Sequence, residues 1–424
     1  MMDRRITELV NLTKVKFGLD NYYLERHGLS RNVNIFNETI YTLSMEWFPN
    51  AVTVPEDDDS NPEGAAVIDI NVNTRKFESV IFTMGKTYAT NGVTFATSDR
   101  NDIIKWIEQE TGLTYGKQFQ LYKEEEERLL FNECMDGTAV SPSGSIEIKL
   151  DKEDRLTLFS VFGQFPSKEI VKDEEYTLSI ENVEHLAKEQ LKLVEFPSFD
   201  KEKLFPVYAV EEVYVTNENK SIIPFEFIVD VRSYLKIDEV ISWDEPINTP
   251  FKRKEIKCLE EVTVDQAFTS EPSPDSFPIT KEEKEKSQLT VQEMLRKEYP
   301  EDTGQWILKT LHREKGYIHA ILRMSKQDSH VFQRKLVIMI DPKTLQAVNY
   351  MDNKPMLEIF DEFMPAEEVT ITREAAYEKI KDRFEMEPYY VYDFESKQYV
   401  LCGKIDCEYG VNGSNEEIVA LDDL

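Results

Sequence analysis

The chain is 424 residues long, with 50 Lys+Arg against 81 Asp+Glu, a formal charge of −31, and it is 41% hydrophobic and 11% aromatic. That much apolar material excludes wholesale disorder, and the length predicts two to four domains at about 100–200 residues each. A field this negative, unbroken by any Lys/Arg-rich stripe, excludes nucleic acid and anionic membranes as expected partners.

The first residues, Met1 to Val10, turn amphipathic at once and read as no signal peptide. No window approaches the run of about 18 apolar residues that a membrane-spanning helix needs. A cytoplasmic protein is therefore expected, unless an export signal has been removed. Four cysteines (Cys134, Cys258, Cys402 and Cys407) are too few to staple a chain of this size, and the spacing of Cys402 and Cys407 puts them on opposite faces of a strand.

In chain order, Ile6, Leu9, Val10 and Phe17 predict an amphipathic helix from about Arg4 to Gly18. Ala65 to Gly85 reads as strand, polar turn and strand. Ile103, Ile104, Trp106 and Ile107 predict a helix from Arg100 to Gly112, and alternation from Gly144 to Gly163 (Ile146, Ile148, Leu150, then Leu156, Leu158) predicts another hairpin with one buried face. Tyr176 to Glu211 then combines a short extended stretch, a Ser179 cap, a helix ending near Pro197, and strands. From Glu245 to Gln288 the chain is Pro- and charge-rich and reads as a linker. Beyond it come a helix from Thr290 to Tyr299 carrying Val291, Met294 and Leu295, and a hairpin from Lys335 to Asp352 turned by Asp341-Pro342-Lys343-Thr344. Val369 to Asp406 repeats the grammar of Tyr176 to Glu211, with Thr372 as cap and Pro388 after the helix.

The recurrence predicts an α+β protein of tandem units, each a helix packed on a three- or four-stranded antiparallel sheet. The expected boundaries are 1–98, 99–176 and 177–245, a linker over 246–287, then 288–369 and 370–424.

The capped helix Ile371-Thr372-Arg373-Glu374-Ala375-Ala376 and the turn Ile340-Asp341-Pro342-Lys343-Thr344 resemble the PepSY superfamily, and more specifically the bacterial YcdB/YcdC-type repeated domain. Residue-level support comes from Tyr176–Asp230, Lys335–Asp352 and Val369–Leu421. The turn departs from the family's Asp-Ala-x-Thr-Gly pattern, and the last unit ends in Asn412-Gly413-Ser414-Asn415. The resemblance implies a cystatin-like fold and no established chemistry; related domains are associated with restraining peptidases or with sensing at the cell envelope.

A search for chemistry assigns no catalytic or cofactor-binding residue. There is no G-x-S-x-G, and Gly85-Lys86-Thr87 lacks the earlier glycine of a phosphate loop because Val80 stands there. Of five histidines none forms H-x-x-x-H or H-E-x-x-H. His312, His319 and His330 fall close together around a turn at Arg313–Gly316, which leaves two readings: a converging cluster, or surface histidines on adjacent strands. Asp57, Asp59, Asn61 and Glu63 place oxygens at alternate positions as a calcium loop does, but Pro62 and Ile68 replace the glycine and glutamate of an EF-hand, so calcium stands against a solvated acidic loop. Glu124–Glu127 reads as a solvated turn. Tyr389, Tyr390, Tyr392 and Phe394 put aromatics on both faces of one strand, core on one side and a partner-binding surface on the other. The expectation is a non-catalytic protein- or peptide-binding protein without cofactor or metal, with restraint of a peptidase implied by the family resemblance and a basic partner electrostatically favoured. The alternative is a hydrolase or small-molecule binder with an acidic inter-domain cleft.

Overall fold

Asp3 starts the first element: its carboxylate accepts a hydrogen bond from the Arg5 N–H at 2.8 Å, and the helix Arg4–Lys16 follows. The computed structural model describes residues 2–51, 61–95, 100–166, 168–172, 174–224, 234–257, 261–326, 330–394 and 396–424. Within them the protein is strand-rich and mixed α and β, with antiparallel sheets. The chain divides into two compact units, one of Met1–Lys172, Glu261–Ser276 and Tyr390–Tyr399, the other of Asp173–Glu260, Phe277–Tyr389 and Val400–Leu424. No described helix is long and apolar enough to cross a membrane.

In the first unit the strands Tyr22–Val33, Thr39–Pro49, Ala66–Asn71, Phe77–Phe82, Leu156–Phe162, Ser145–Leu150 and Arg128–Met135 neighbour one another in that order, all antiparallel. Strict alternation decides which face is inside: Ala66, Ile68 and Ile70 are buried while Val67, Asp69 and Asn71 are less so. Three helices supply the other side of the core: Ile6 and Leu9 from Arg4–Lys16, Ile103, Ile104 and Ile107 from Arg100–Thr111, and Ala267 from Val264–Phe268. The two hairpins and two of these helices lie where periodicity places them.

The third helix falls inside the segment expected as linker. Thr263 and Gln266 form a reciprocal capping box that starts it. Asp265 pairs with Arg5 at 2.7 Å, Tyr41 Oη donates to the Glu271 carbonyl at 2.7 Å, and Asn73 Nδ2 donates to the Ala267 carbonyl at 2.9 Å. A second capping box, Thr280 with Glu283, starts the helix Lys281–Glu298 well before Thr290. Composition hides both starts, because the capping residues are polar like the coil around them.

Gly144 and Gly163 cross closely at the end of the Ser145–Leu150 and Leu156–Phe162 hairpin. A Cβ on Gly163 would lie 2.3 Å from Gly144 Cα, and Gly163 has φ of +112°. Gly163→Ala is therefore expected to cost about 1–3 kcal/mol in chemical denaturation. An unchanged midpoint would mean that the crossing relaxes freely.

The second unit holds a five-stranded meander of Leu235–Ile241, Trp306–Glu314, Tyr317–Met324, Lys335–Ile340 and Ala347–Asp352. The helix Lys281–Glu298 lays Val291, Met294 and Leu295 on Trp306, Leu308, Leu311, Ala320, Leu322 and Ile338. Asp341 turns the last hairpin as its sequence predicts, its carboxylate accepting the Lys343 and Thr344 N–H groups at 2.8 and 2.9 Å.

The two similar segments lie together in this unit and exchange strands. Leu191–Ser198 and Lys203–Val210 continue into Tyr409–Asn412 and Ile418–Ala420, while Gln398–Asp406 pairs with Val213–Thr216, which pairs with Ile222–Pro224. The exchange is reciprocal in detail: the Asn217 N–H donates to the Leu401 carbonyl at 2.9 Å, and the Gly413 N–H donates to the Pro206 carbonyl at 2.6 Å. One core collects Val183 and Ala187 from one copy and Tyr377, Ile380 and Val411 from the other. Thr372 caps its helix, accepting from the Ala375 N–H; Ser179 makes no such bond, and its segment is a 3₁₀ turn, Ile180–Val183, followed by the helix Glu184–Gln190.

Candidate functional site

The second unit carries an open cleft of about 680 Å³ whose apolar lining includes Phe199, Val331, Phe332, Met356, Ile359 and Phe360. Three segments build it. Phe199 sits at the turn between Leu191–Ser198 and Lys203–Val210. Val331 and Phe332 are held against the same hairpin, since the Val331 N–H donates to the Glu195 carbonyl at 3.1 Å and His330 Nε2 lies 3.2 Å from Glu195 Oε2. Met356, Ile359 and Phe360 come from the helix Lys354–Leu357 and the 3₁₀ turn Glu358–Glu362, tied back where the Met364 carbonyl accepts from the Leu204 N–H at 2.9 Å and the Met364 N–H donates to the Glu202 carbonyl at 2.8 Å.

The rings form a connected set. Phe332 stacks on Phe360 with centroids 5.7 Å apart and planes 7° apart, and Phe199 meets Phe360 and Phe363 edge-on at 5.9 and 5.6 Å. Yet Phe199 is 60% exposed, Phe332 53% and Met356 75%. Scattered exposed apolar residues are ordinary, but rings that stack on each other and still face solvent over a cleft form an adaptable contact surface, with methionine as the deformable part. Arg323, Lys335 and Glu211 give it a polar margin; Arg323 Nη1 is bonded to the Gln333 carbonyl at 3.3 Å, and Glu211 to Lys192 at 3.2 Å.

A part-buried ion pair stands beside the cleft. Arg334 grips Asp352 through Nε at 3.2 Å and Nη2 at 2.7 Å, and Tyr299 Oη donates to the same carboxylate at 2.8 Å. The Arg334 guanidinium also lies 4.9 Å from the Trp306 ring centroid. Their neighbours Gln333, Lys335 and Asn353 line the cleft. Burial pushes the Asp352 carboxyl up, and Arg334 with the Lys354 N–H and the Tyr299 hydroxyl more than offsets it, so its pKa is lowered.

Sequence reading pointed instead to Tyr389, Tyr390, Tyr392 and Phe394. Tyr392 is 6% exposed and packs against Phe394 at 5.0 Å and Tyr399 at 5.1 Å. Tyr389 meets Tyr214 at 5.7 Å, with Lys404 Nζ 5.6 Å above its ring. Tyr389, Tyr390 and Phe394 are half-buried, leaving them the members of the set that a partner could reach. The cleft residues were missed because they lie in connections between strands, where periodicity is silent. Their signal was composition: Met356-Leu357-Glu358-Ile359-Phe360-Asp361-Glu362-Phe363-Met364 is too apolar for a solvated connection.

Of the grouped histidines, His312 and His319 converge, with Glu314 beside them, while His330 pairs with Glu195 elsewhere. In the acidic loop Asp57 and Asp59 lie outside the described residues; Glu63 is bonded to Lys86 and, at 2.8 Å, to the Tyr88 hydroxyl. Cys134, Cys402 and Cys407 are buried and in no disulfide among the described residues, and burial pushes the Cys134 and Cys407 thiols up; Cys258 lies outside the described residues.

No family model and no curated protein matches the chain. Among solved structures it is similar to the Bacillus megaterium YpeB C-terminal domain, at 8% identity and a TM-score of 0.25, over 83% of this chain and 97% of that one. A score that low assigns neither fold nor role.

Proposed function

We propose that this is a non-catalytic binding protein that holds an apolar segment of a protein or peptide partner in the Phe199–Phe332–Phe360 cleft, on a scaffold of tandem PepSY-like units. The observation that carries the reading is the cleft itself: stacked, half-exposed aromatic rings and a solvent-facing methionine. Support for the tandem scaffold comes from the reciprocal strand exchange between the two similar segments. The charge of −31 favours basic residues flanking the partner's apolar anchor, and the family resemblance makes a restrained peptidase one partner of this kind.

The test pans a displayed peptide library on the whole protein. Peptides with aromatic or aliphatic anchors and basic flanks are expected to be enriched. Phe332→Ala should weaken them about 30-fold, the size of a loss of about 2 kcal/mol at a contact centre. Because Phe332 is half-exposed, folding stability should change by no more than about 0.5 kcal/mol. Failure of any peptide to bind, or binding that ignores Phe332→Ala, would overturn the reading.

A further inference from the structure

His312 and Glu314 belong to the strand Trp306–Glu314, and His319 to Tyr317–Met324. The connection is a two-residue turn in which Lys315 (φ 49°) and Gly316 (φ 79°) are both left-handed, the geometry that matches the twist of a tight hairpin. That turn fixes the register, so Glu314 faces Tyr317 and His312 faces His319 directly across the ladder. Residues two apart on a strand share a face, and direct cross-strand partners share it too. His312, Glu314 and His319 therefore project from the same side, opposite the Leu311, Ile318 and Ala320 that pack into the core.

The donor atoms meet there. One ligand atom from each of the three lies within 4.8 Å of the others, and Glu314 Oε2 is 3.7 Å from both His312 Nε2 and His319 Nδ1. Two ligands about 2.1 Å from a tetrahedral ion are about 3.4 Å apart, so both His–Glu spacings are within a few tenths of an ångström of those around a shared ion. The imidazole centroids stand 5.2 Å apart and the donor atoms span at most 4.8 Å, so the two histidine nitrogens close by about 1 Å to share an ion. His312 is 7% exposed and His319 8%, so neither is a surface histidine free to sample other partners.

We propose that His312, Glu314 and His319 form a binding site for one divalent first-row transition metal, zinc foremost. Two imidazoles and one carboxylate are the donors of a borderline ion; calcium and magnesium, which take oxygen ligands in larger number, fit poorly. Three protein ligands leave a fourth position for water or for a side chain brought by a partner. The site is distinct from the apolar cleft, so it stands or falls independently of the proposed binding function.

The test uses the full chain, stripped with a chelator and then titrated with Zn²⁺ and Co²⁺. One tight site per chain is expected, with a visible tetrahedral Co²⁺ band and a zinc-dependent rise in Tm. His312→Gln, His319→Gln and Glu314→Gln should each weaken zinc about 100-fold and erase the Co²⁺ band, while His27→Gln, on an exposed residue, leaves both unchanged. Glu314→Gln keeps the case decidable if a buried histidine variant fails to fold, since Glu314 is the most exposed of the three. Absence of a tight site in the wild-type chain, or a site that survives Glu314→Gln, overturns the proposal.

Discussion

Asp352→Ala is expected to destabilise the meander of the second unit by about 2–3 kcal/mol, because it removes the counter-charge and both hydrogen-bond acceptors of the part-buried Arg334 guanidinium. Arg334 and Asp352 side chains are only 18% and 12% exposed, and their contact is bidentate, so water can replace little of what is lost. Tyr299 Oη would lose its acceptor at the same time. Asp352→Asn should cost less, since an amide oxygen still accepts from one donor. In a chain of two compact units unfolding need not be all-or-none, so the effect is best read locally, as lost hydrogen-exchange protection in Lys335–Ile340 and Ala347–Asp352. If protection there is unchanged, the pair contributes no more than a surface contact. The pH dependence carries the same signature. The Asp352 pKa is depressed in the folded state, so its contribution is complete above the unfolded carboxylate pKa and is lost as pH falls through the folded value. Disruption of the pair should also loosen Gln333, Lys335 and Asn353, and peptide binding in the cleft should weaken with it.

Glu133 is expected to behave in the opposite sense. It is 2% exposed, walled by Gly144 and Gly163, with Oε2 accepting the Gly144 N–H at 2.7 Å. Burial pushes its carboxyl up to about 7, and the Gly144 and Phe165 N–H groups offset that only in part. A carboxyl whose folded pKa is raised holds its proton longer in the folded state than in the unfolded one. Its contribution to stability therefore falls as pH rises from about 4.5 to about 7 and stays low above that, a swing on the order of 3 kcal/mol. Glu133→Gln keeps an acceptor for Gly144 and removes the ionisation. The variant should be more stable than the parent at pH 8 by up to that amount and should match it near pH 4.5, as measured by denaturant midpoints across the range. A constant difference at all pH values would show that Glu133 does not titrate in the folded protein.

The parts of the fold that were legible are those where a period repeats. The hairpins at Ala65–Gly85, Gly144–Gly163 and Lys335–Asp352 and the helices near Arg4 and Arg100 follow from spacing alone, because an apolar face at a fixed step has one secondary structure that buries it. The helices Val264–Phe268 and Lys281–Glu298 were partly hidden, since their starts depend on side-chain-to-backbone bonds that composition does not announce. The pairing of His312 with His319 was legible as proximity and illegible as geometry. The addition of Glu314 follows from a turn whose register is set by two left-handed residues.

The amino-acid order by itself determined the local elements, the similarity of Tyr176–Glu211 to Val369–Asp406, and the net charge of −31. Each depends only on neighbours in the chain or on summed charge. Tertiary structure alone decided that the two similar segments exchange strands, that Glu261–Ser276 folds into the first unit, and that Phe199, Phe332 and Phe360 meet. Those outcomes rest on contacts between residues up to hundreds of positions apart. A strand edge or an exposed ring carries no mark of its eventual partner, and only the burial available in the folded chain selects one.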